Sequence, residues 1–169
     1  TSGIPPAELI TEKDIVRRRH LVFDLDGNTC VLPFPQFKIN DITYRPDRVA
    51  FSLPQGQVEE WIVMNPNAAT HPLHIHVNPF QVKEAYSAFE PDPKLVPPDE
   101  MADVKTRVAA MRRVDHPGMW RDSIIIPPNG YLRIWVRLYA DYVGKTVFHC
   151  HFLAHEETGM IQNFLITPP

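Results

Sequence analysis

The segment HCHFLAHEETGM, from His149 to Met160, decides how the rest of the sequence is interpreted. Cys150 stands directly between two histidines, and His155 and Met160 follow it with four residues between each ligand and the next. Thiolate and thioether are soft ligands that suit copper in its lower oxidation state, whereas imidazole suits both oxidation states. Residues 146–152 also have the apolar pattern of a short strand. The segment therefore predicts a metal site at the end of a strand.

A second group of histidines lies far upstream, in HPLHIH from His71 to His76. His71 completes a set of one cysteine, two histidines and an axial methionine, which is the ligand set of a blue-copper site. Zinc is the main competing metal, but zinc prefers thiolate, imidazole and carboxylate, so Met160 favours copper. An ordinary packing role for Met160 remains open, because methionine is a common core residue.

The alternation of side chains along a strand predicts a second metal site. If Cys150 points to one side of its strand, His149 and His151 must point to the other. His74 and His76 have the same spacing, so they too can face one common point. We therefore expect these four histidines to form half of a larger cluster beside the blue-copper site.

Length and composition predict a single all-β domain. The chain has 169 residues, of which 44% are hydrophobic, enough for one buried core. Its 18 prolines argue against long helices and for short strands joined by rigid turns. In segment 131–138, Leu132, Ile134 and Val136 share one face, as burial on one side requires. The segments with a strand pattern are 20–24, 48–53, 58–64, 73–82, 123–126, 131–138, 146–152 and 161–166. They predict a β-sandwich of about eight strands.

Charge and hydropathy exclude two classes of function. The net charge is -3, and the one basic run, Arg17 to Arg19, is interpreted as a solvated edge. We therefore expect that the protein does not bind nucleic acid. No apolar stretch approaches the roughly 18 residues of a membrane span, so we expect that the chain is not embedded in a membrane. Cys30 is interpreted as a free or buried thiol, and His20 and His116, which stand alone, as structural residues.

Two parts of the chain lie outside the strand pattern. Residues 1–19 are predicted to be a linker or lead-in segment. Residues of about 88–119 are predicted to be an insertion, with a proline-rich loop at 91–98 and one short helix at 99–113 that begins at the cap residue Asp99. Because the sequence begins at Thr1, we expect a processed product or a piece of a longer protein.

Three segments resemble one known family. HPLHIHVNPFQV (71–82), WRDSIIIPPNG (120–130) and HCHFLAHEETGM (149–160) are similar to the signature of the C-terminal cupredoxin domain of laccase-type multicopper oxidases. FKINDITYRPDR (37–48) and VEEWIVMNPN (58–67) resemble the opening strands of that domain. The resemblance implies a cupredoxin-like Greek-key β-sandwich over residues 20–169, to which the insertion with its short helix has been added.

The resemblance also implies copper as the cofactor and a role for each ligand. The implied type 1 (blue) copper ligands, where single electrons enter, are His71, Cys150, His155 and Met160. In the half-site of a type 2/type 3 trinuclear cluster, the implied type 2 ligand is His74 and the implied type 3 ligands are His76, His149 and His151. Electrons would pass from Cys150 to its two neighbours, and the cluster would reduce dioxygen to water.

Two acidic residues also match positions of the family. Glu156 matches an acid that helps to deliver protons to the cluster, so it joins Cys150 as a catalytic candidate. The simpler interpretation of Glu156 is an exposed glutamate at the end of a strand. Asp122 matches the WRD position, and we interpret it as an edge carboxylate that pairs with Arg121 or Arg133.

The sequence departs from the family in what it lacks. A complete trinuclear cluster needs two further His-x-His pairs, which the family supplies from its N-terminal domain, and this sequence has no other such pair. The resemblance therefore implies an upstream or partner cupredoxin domain. Two alternatives remain open: an electron-transfer cupredoxin with only the type 1 copper, and a homo-oligomer that pools the spare histidines around metal.

The resemblance limits the substrates and the location. It implies small reducing substrates, namely phenols, aromatic amines or metal ions, and dioxygen as the oxidant. Met101, Met111 and Met119 are candidate ligands for cuprous ion, although packing is the commoner role of scattered methionines. It also implies a periplasmic or extracellular protein.

Overall fold

The computed structural model describes residues 9–25, 36–88, 98–103, 105–106, 118–139 and 142–169, which form two β-sheets. The strands of these residues are β1 (Ile15–Leu25), β2 (Phe37–Ile39), β3 (Val49–Pro54), β4 (Val58–Asn65), β5 (His71–Ile75), β6 (Phe80–Ser87), β7 (Trp120–Arg121), β8 (Ser123–Ile126), β9 (Gly130–Arg137), β10 (Gly144–Cys150) and β11 (Ile161–Thr167). A 3-10 turn covers Glu12–Asp14, and the helix α1 covers Leu153–Glu157. The prediction of an all-β sandwich is confirmed.

The order of the strands brings the two histidine-rich segments together. The first sheet has the order β2-β1-β4-β9-β6-β7, and the second has the order β3-β11-β10-β5-β8. Most neighbours are antiparallel, but β1 runs parallel to β4 and β3 runs parallel to β11. In the second sheet β10 lies directly beside β5. The segments His71–Ile75 and Gly144–Cys150 are therefore neighbours in space, although they are far apart in sequence.

A core of aromatic side chains fixes the inner face of β10. Trp61 of β4 is fully buried, and its ring centroid lies 5.6 Å from that of Phe148 and 6.0 Å from that of Phe164. These contacts join the sheets, because β4 belongs to the first sheet whereas β10 and β11 belong to the second. Each fully buried phenylalanine contributes roughly 1.5–3 kcal/mol. Phe148 and Cys150 alternate with His149 along β10, so packing of Phe148 also directs Cys150 inward.

The prediction of one continuous strand over residues 73–82 is wrong, because the chain breaks between β5 and β6. Val77 has a φ of 56°, a left-handed conformation that β-branched residues rarely adopt. Pro79 follows and has no N–H group to continue a ladder. The break lets the chain cross from the second sheet, which contains β5, to the first sheet, which contains β6.

The described residues contain more strands than the predicted eight or so, and β1 is longer than predicted. β2 and β7 have three and two residues, too few for alternation to be visible in the sequence. β1 begins at Ile15, inside the predicted lead-in segment 1–19. Its arginines interrupt the apolar pattern by which a strand is recognised in the sequence. Arg19 was interpreted as a solvated charge, but it donates two hydrogen bonds, of 2.8 and 2.7 Å, to the buried Glu59.

A second buried carboxylate holds three strands of the first sheet together. Glu60 of β4 is fully buried. Its carboxylate accepts hydrogen bonds from Arg18 of β1 and Arg133 of β9, and one of 2.9 Å from the Trp135 indole. Burial acts to raise the pKa of Glu60, but the hydrogen bonds from Trp135, Arg133 and Arg18 outweigh burial and lower the pKa. Glu60 therefore ties β1 and β9 to β4 as an ionised group.

Most of the predicted insertion, about 88–119, lies outside the described residues. Of the predicted helix 99–113, residues 101–103 and 105–106 are helical, and the others from 104 onward lie outside the described part. Among the described residues no helix is long and apolar enough to cross a membrane.

Candidate metal centre

The register of β5 against β10 sorts the predicted ligands onto two sides of the second sheet. His149 lies opposite His74, and Cys150 lies opposite Leu73. Because side chains alternate, His71 and Leu73 share the buried face of β5, whereas His74 points to the other face. The sheet therefore separates the predicted ligands into an inner group and an outer group.

The inner group consists of two histidines and the cysteine. The Sγ atom of Cys150 lies 3.8 Å from Nδ1 of His71 and 3.5 Å from Nδ1 of His155. The two Nδ1 atoms are 3.2 Å apart. Three donors bound at roughly 2.0–2.3 Å around one ion lie roughly 3.4–4 Å from one another in a trigonal arrangement. The observed spacings are close to that arrangement, so these donors fit one small metal ion.

The protonation states of the inner group also fit a metal. Burial, together with the nearby His155, lowers the pKa of His71 to about 4, and burial also lowers the pKa of His155. Both imidazoles are therefore neutral at pH 7, as metal ligands must be. Burial raises the pKa of Cys150 to about 11, so without a metal its side chain is a thiol. A bound cation would stabilise the thiolate instead.

Met160 ends the loop that carries Cys150 and His155. Its side chain is fully buried. The Cys150 N–H donates a 2.9 Å hydrogen bond to the Met160 carbonyl, and the Met160 N–H donates one of 2.9 Å to the His155 carbonyl. Gly159, just before it, has a φ of 119°, and a Cβ atom there would lie 2.4 Å from Cγ2 of Thr43. Glycine is therefore required at this turn, which leads directly into Met160.

Two phenylalanines that the sequence did not single out hold the His155 ring. The Phe37 ring stacks on it at a centroid distance of 3.9 Å, and the Phe152 ring stacks on it at 4.9 Å. The interplanar angles are 19° and 24°, so the imidazole lies nearly parallel to both rings. Phe37 lies in β2, which was too short to predict. Phe152 lies inside the motif, but spacing alone gives it no role.

The outer group consists of histidines that face away from the core. Ligand atoms of His74, His76 and His149 all lie within 4.8 Å of one another. Nε2 of His76 is 3.1 Å from Nε2 of His149, close enough for both to bind one ion. The His151 ring lies 5.4 Å from that of His74 and 5.5 Å from that of His149, so it stands beside this group.

Hydrogen bonds orient two rings of the outer group. Nδ1 of His74 lies 2.8 Å from the backbone oxygen of Asp122 and 2.9 Å from Oγ of Ser123. Nδ1 of His149 lies 3.0 Å from the Glu156 carboxylate and 3.2 Å from the Cys150 carbonyl. Carbonyl and carboxylate oxygens only accept, so each Nδ1 carries the proton and each Nε2 is free to bind metal.

The outer group opens onto a cavity. The cavity has a volume of about 580 Å³, and His74, His76, Trp120, Arg121 and Asp122 contribute to its wall. Asp122 was expected to pair with Arg121 or Arg133, but its contact with the site is made by the backbone oxygen that accepts from His74. The histidine cluster is thus accessible from one side of the sheet.

Other candidates lie apart from both groups. His20 is exposed on β1. Met119 packs against the hydrophobic core, as the packing interpretation predicts. Cys30, Met111 and His116 lie outside the described residues.

Comparisons with known proteins agree on one family. A family model described as multicopper oxidase matches residues 16–169. The iron transport multicopper oxidase fio1 of Schizosaccharomyces pombe is 30% identical over 132 residues, which cover 78% of this chain and 19% of that protein. A laccase of Bacillus subtilis is 30% identical over 114 residues, which cover 68% of this chain and 21% of that protein. The chain therefore spans about a fifth of the length of these curated relatives.

Solved structures agree with the fold. A multicopper oxidase from Campylobacter jejuni, described as a metallo-oxidase, superposes with a TM-score of 0.69 at 22% sequence identity. The superposition covers 96% of this chain and 31% of that chain. At this level of identity the likeness concerns the arrangement of strands, and the chemistry has to be argued from the residues.

Proposed function

The chain belongs to the multicopper oxidase family, and from that membership we propose that it takes single electrons at a type 1 copper site and passes them to a trinuclear copper cluster. The proposed type 1 ligands are His71, Cys150, His155 and Met160. The proposed half of the cluster is His74 for type 2 copper and His76, His149 and His151 for type 3 copper. Copper supplies the change of oxidation state and the reduction of dioxygen to water.

One observation carries this proposal: two ligand groups meet at consecutive residues of β10. The Cys150 thiol points to His71 and His155, whereas Nε2 of the preceding His149 is 3.1 Å from Nε2 of His76. An electron that reaches Cys150 is thus a few covalent bonds from the second group. A chain built only for transfer to a separate protein would have no use for this second group.

The residues around the inner group prepare it for electron transfer. Phe37 and Phe152 both stack on the His155 ring, and His71 and Met160 are fully buried. Ligands that are fixed before the metal changes its oxidation state keep the cost of reorganisation small. His155 is less buried than His71, which makes its ring the edge through which electrons enter.

Glu156 is placed to serve the outer group. Its carboxylate lies 3.0 Å from Nδ1 of His149, and the side chain is partly exposed to solvent. A carboxylate in this position can hold a proton near the cluster and exchange it with water. We therefore keep Glu156 as the candidate proton carrier, with Cys150 as the electron conduit.

The complete enzyme would need a second cupredoxin domain. Of the four histidines of the outer group, His74 and His76 line the cavity of about 580 Å³, and His149 and His151 lie next to them. Two His-x-His pairs from another domain, upstream or in a partner chain, would complete the cluster there. Small reductants such as phenols, aromatic amines or metal ions would supply the electrons. We place the protein in the periplasm or outside the cell, where the family acts.

Copper content tests the proposal. The isolated chain, reconstituted with copper and desalted, should retain about one copper per chain with the intense absorption of a copper–thiolate bond. Cys150→Ser should lose both the absorption and the tightly held ion. His76→Ala is the matched control, because it alters only the outer group and should keep both.

The other outcomes separate the alternatives. Absence of tightly bound copper in the unaltered chain would contradict the proposal. Clearly more than one copper per chain, lost in His76→Ala and accompanied by a larger mass in sedimentation, would mean that copies of the chain complete the cluster between them. A copper site that accepts electrons but never supports oxygen reduction with a complementary domain would favour the electron-transfer protein.

A further inference from the structure

Phe152 extends the His155 ring toward solvent. The two rings are stacked at 4.9 Å and 24°. Phe37, which stacks on the same imidazole, is only 8% exposed, whereas Phe152 is 53% exposed. Of the two rings that hold His155, Phe152 is thus the one whose surface remains largely in water.

The capping of α1 gives no reason for a phenylalanine at this position. Phe152 is the N-cap residue of α1, where serine, threonine, aspartate and asparagine are preferred because their side chains bond the free N–H groups. No side-chain capping hydrogen bond is made there. A large exposed aromatic in place of a capping residue breaks a local rule, and such breaks are expected at functional sites.

We infer that Phe152 is a specificity-determining residue, the platform on which a neutral planar aromatic reductant stacks before it transfers an electron. The inference rests on the proposed function, because it gives a donor to the copper site of His71, Cys150 and His155. Stacking would hold the donor ring parallel to Phe152 and so to the His155 ring beneath it. Aromatic pairs gain from this geometry beyond the burial of area.

The electron balance of the step is simple. A phenol stacked on Phe152 would lose one electron through the His155 ring, and cupric copper, which Cys150 and the two histidines would hold, would accept it and become cuprous. The phenol hydroxyl releases its proton to water, leaving a phenoxyl radical. The same short helix carries Glu156 and Glu157, so neutral rings are favoured over anionic ones.

The first test needs no metal. The copper-free chain is titrated with anisole, a planar ring that resists oxidation, and followed by nuclear magnetic resonance. We expect saturable ring-current shifts at Phe152 and His155. Phe152→Leu should weaken the binding about fivefold, the size of one aromatic contact. Leu153→Ala is the matched control, because Leu153 is 66% exposed in the same patch but makes no ring contact with His155, and it should bind anisole normally.

The titration of the unaltered chain tests the inference even without a variant. Shifts that are absent at Phe152, or centred elsewhere on the surface, would overturn the inference. Equal weakening in Phe152→Leu and Leu153→Ala would also overturn it, since the site would then be a general apolar patch.

The second test uses the copper-loaded chain in single-turnover reduction under anaerobic conditions. The loss of the copper–thiolate absorption is timed with guaiacol, a neutral phenol, and with hexacyanoferrate(II), an inorganic reductant that cannot stack. Phe152→Leu should slow guaiacol about fivefold more than it slows hexacyanoferrate(II), whereas Phe152→Tyr, which keeps a ring, should restore the rate with guaiacol. An equal effect on both reductants would overturn the inference. Failure of both reductants with the unaltered chain would instead overturn the proposed function.

Discussion

Cys150 combines two properties that pull in opposite directions. It is fully buried, and burial raises the pKa of its thiol to about 11. Its proposed role as a metal ligand nevertheless requires the thiolate. The free energy of metal binding must therefore include the removal of a proton from Cys150. The histidines carry no such cost, because the pKa of His71 is already lowered to about 4.

Copper uptake should therefore release one proton at neutral pH. We expect the anaerobic binding of cuprous ion to the inner group to release about one proton, and the apparent affinity to rise about tenfold per pH unit between about pH 7 and pH 9. Above the lowered pKa values of His71 and His155, only Cys150 has a proton to lose. The apparent affinity must therefore rise, and not fall, as the pH increases. Calorimetry in two buffers with different enthalpies of ionisation measures the number of protons.

The control for this measurement is Cys150→Ser, which should release no proton. A release of two protons from the unaltered chain would mean that one of the histidines is charged before binding. An affinity that does not depend on pH would mean that the thiol is already ionised in the free protein.

For individual residues, the sequence predicted which side chains come together at the site, but not which other side chains contact them. The spacing of Cys150, His155 and Met160, completed by His71 upstream, was enough to propose one ligand set, and the structure brings His71, Cys150 and His155 together. Alternation along the strand separated His149 from Cys150. Nothing in the sequence pointed to Phe37 as a support of His155, because contacts between distant strands leave no local pattern.

Strand β4 carries two buried glutamates that the strand pattern did not predict. Its two buried carboxylates bind arginines of the neighbouring strand β1, and Glu60 also binds Arg133 of β9. The apolar alternation located β4 correctly as a strand. It could not show that two consecutive acidic residues would both be buried, because their partners Arg18 and Arg19 were interpreted as solvated charges.

Glu60→Gln should destabilise the first sheet. Removal of the charge leaves the arginines around a neutral group, and we expect a loss of about 2 kcal/mol in the free energy of unfolding at pH 7, measured with urea. Asp47→Asn is the control, because the pair of Asp47 with Arg45 is exposed and should contribute nothing measurable.

The same variant should change the response to acid. The pKa of Glu60 is lower in the folded protein than its ordinary value of 4.5, so the stability it contributes is complete above that value and is lost as the pH falls through the folded pKa. The difference between Glu60→Gln and the unaltered protein should therefore shrink below about pH 4. A constant difference down to the acid transition would show that Glu60 acts through its shape and not through its charge.

Over the whole molecule, the two sheets place one ligand group inside the sandwich and the other on its surface. His71 and Cys150 are buried, whereas His74 and His76 line the cavity beside β5, with His149 next to them. The fold class and the two groups were predictable, since strand patterns and histidine spacing are local. The crossing at Val77 was not, because it depends on a strained backbone conformation of a residue that normally favours strands.

Oxygen reduction should therefore depend on a second domain. We expect a mixture of this chain with a cupredoxin domain that carries two His-x-His pairs to take up the further copper ions of a trinuclear cluster and to consume dioxygen with a phenol as donor. Neither component alone should take up these further copper ions or consume dioxygen. An oxygen electrode and elemental analysis of the purified complex measure both effects.

The matched variants for the mixture are His76→Ala and Leu153→Ala. The first should abolish oxygen consumption while the copper–thiolate absorption remains, and the second should have little effect on either. Oxygen consumption that survives in His76→Ala would contradict a cluster built at this face.

The separation of His71 from the other inner ligands sets the order of assembly during folding. His71 and Cys150 are 79 positions apart in the chain, whereas Cys150, His155 and Met160 lie in one short loop. The loop offers three of the proposed ligands before any tertiary structure exists, but His71 would join them only after β5 has paired with β10, a slow non-local step. Copper that arrives early would bind the unfolded loop and reduce the stabilisation it gives to the native state. The chain therefore benefits most from metal that is delivered after folding is complete.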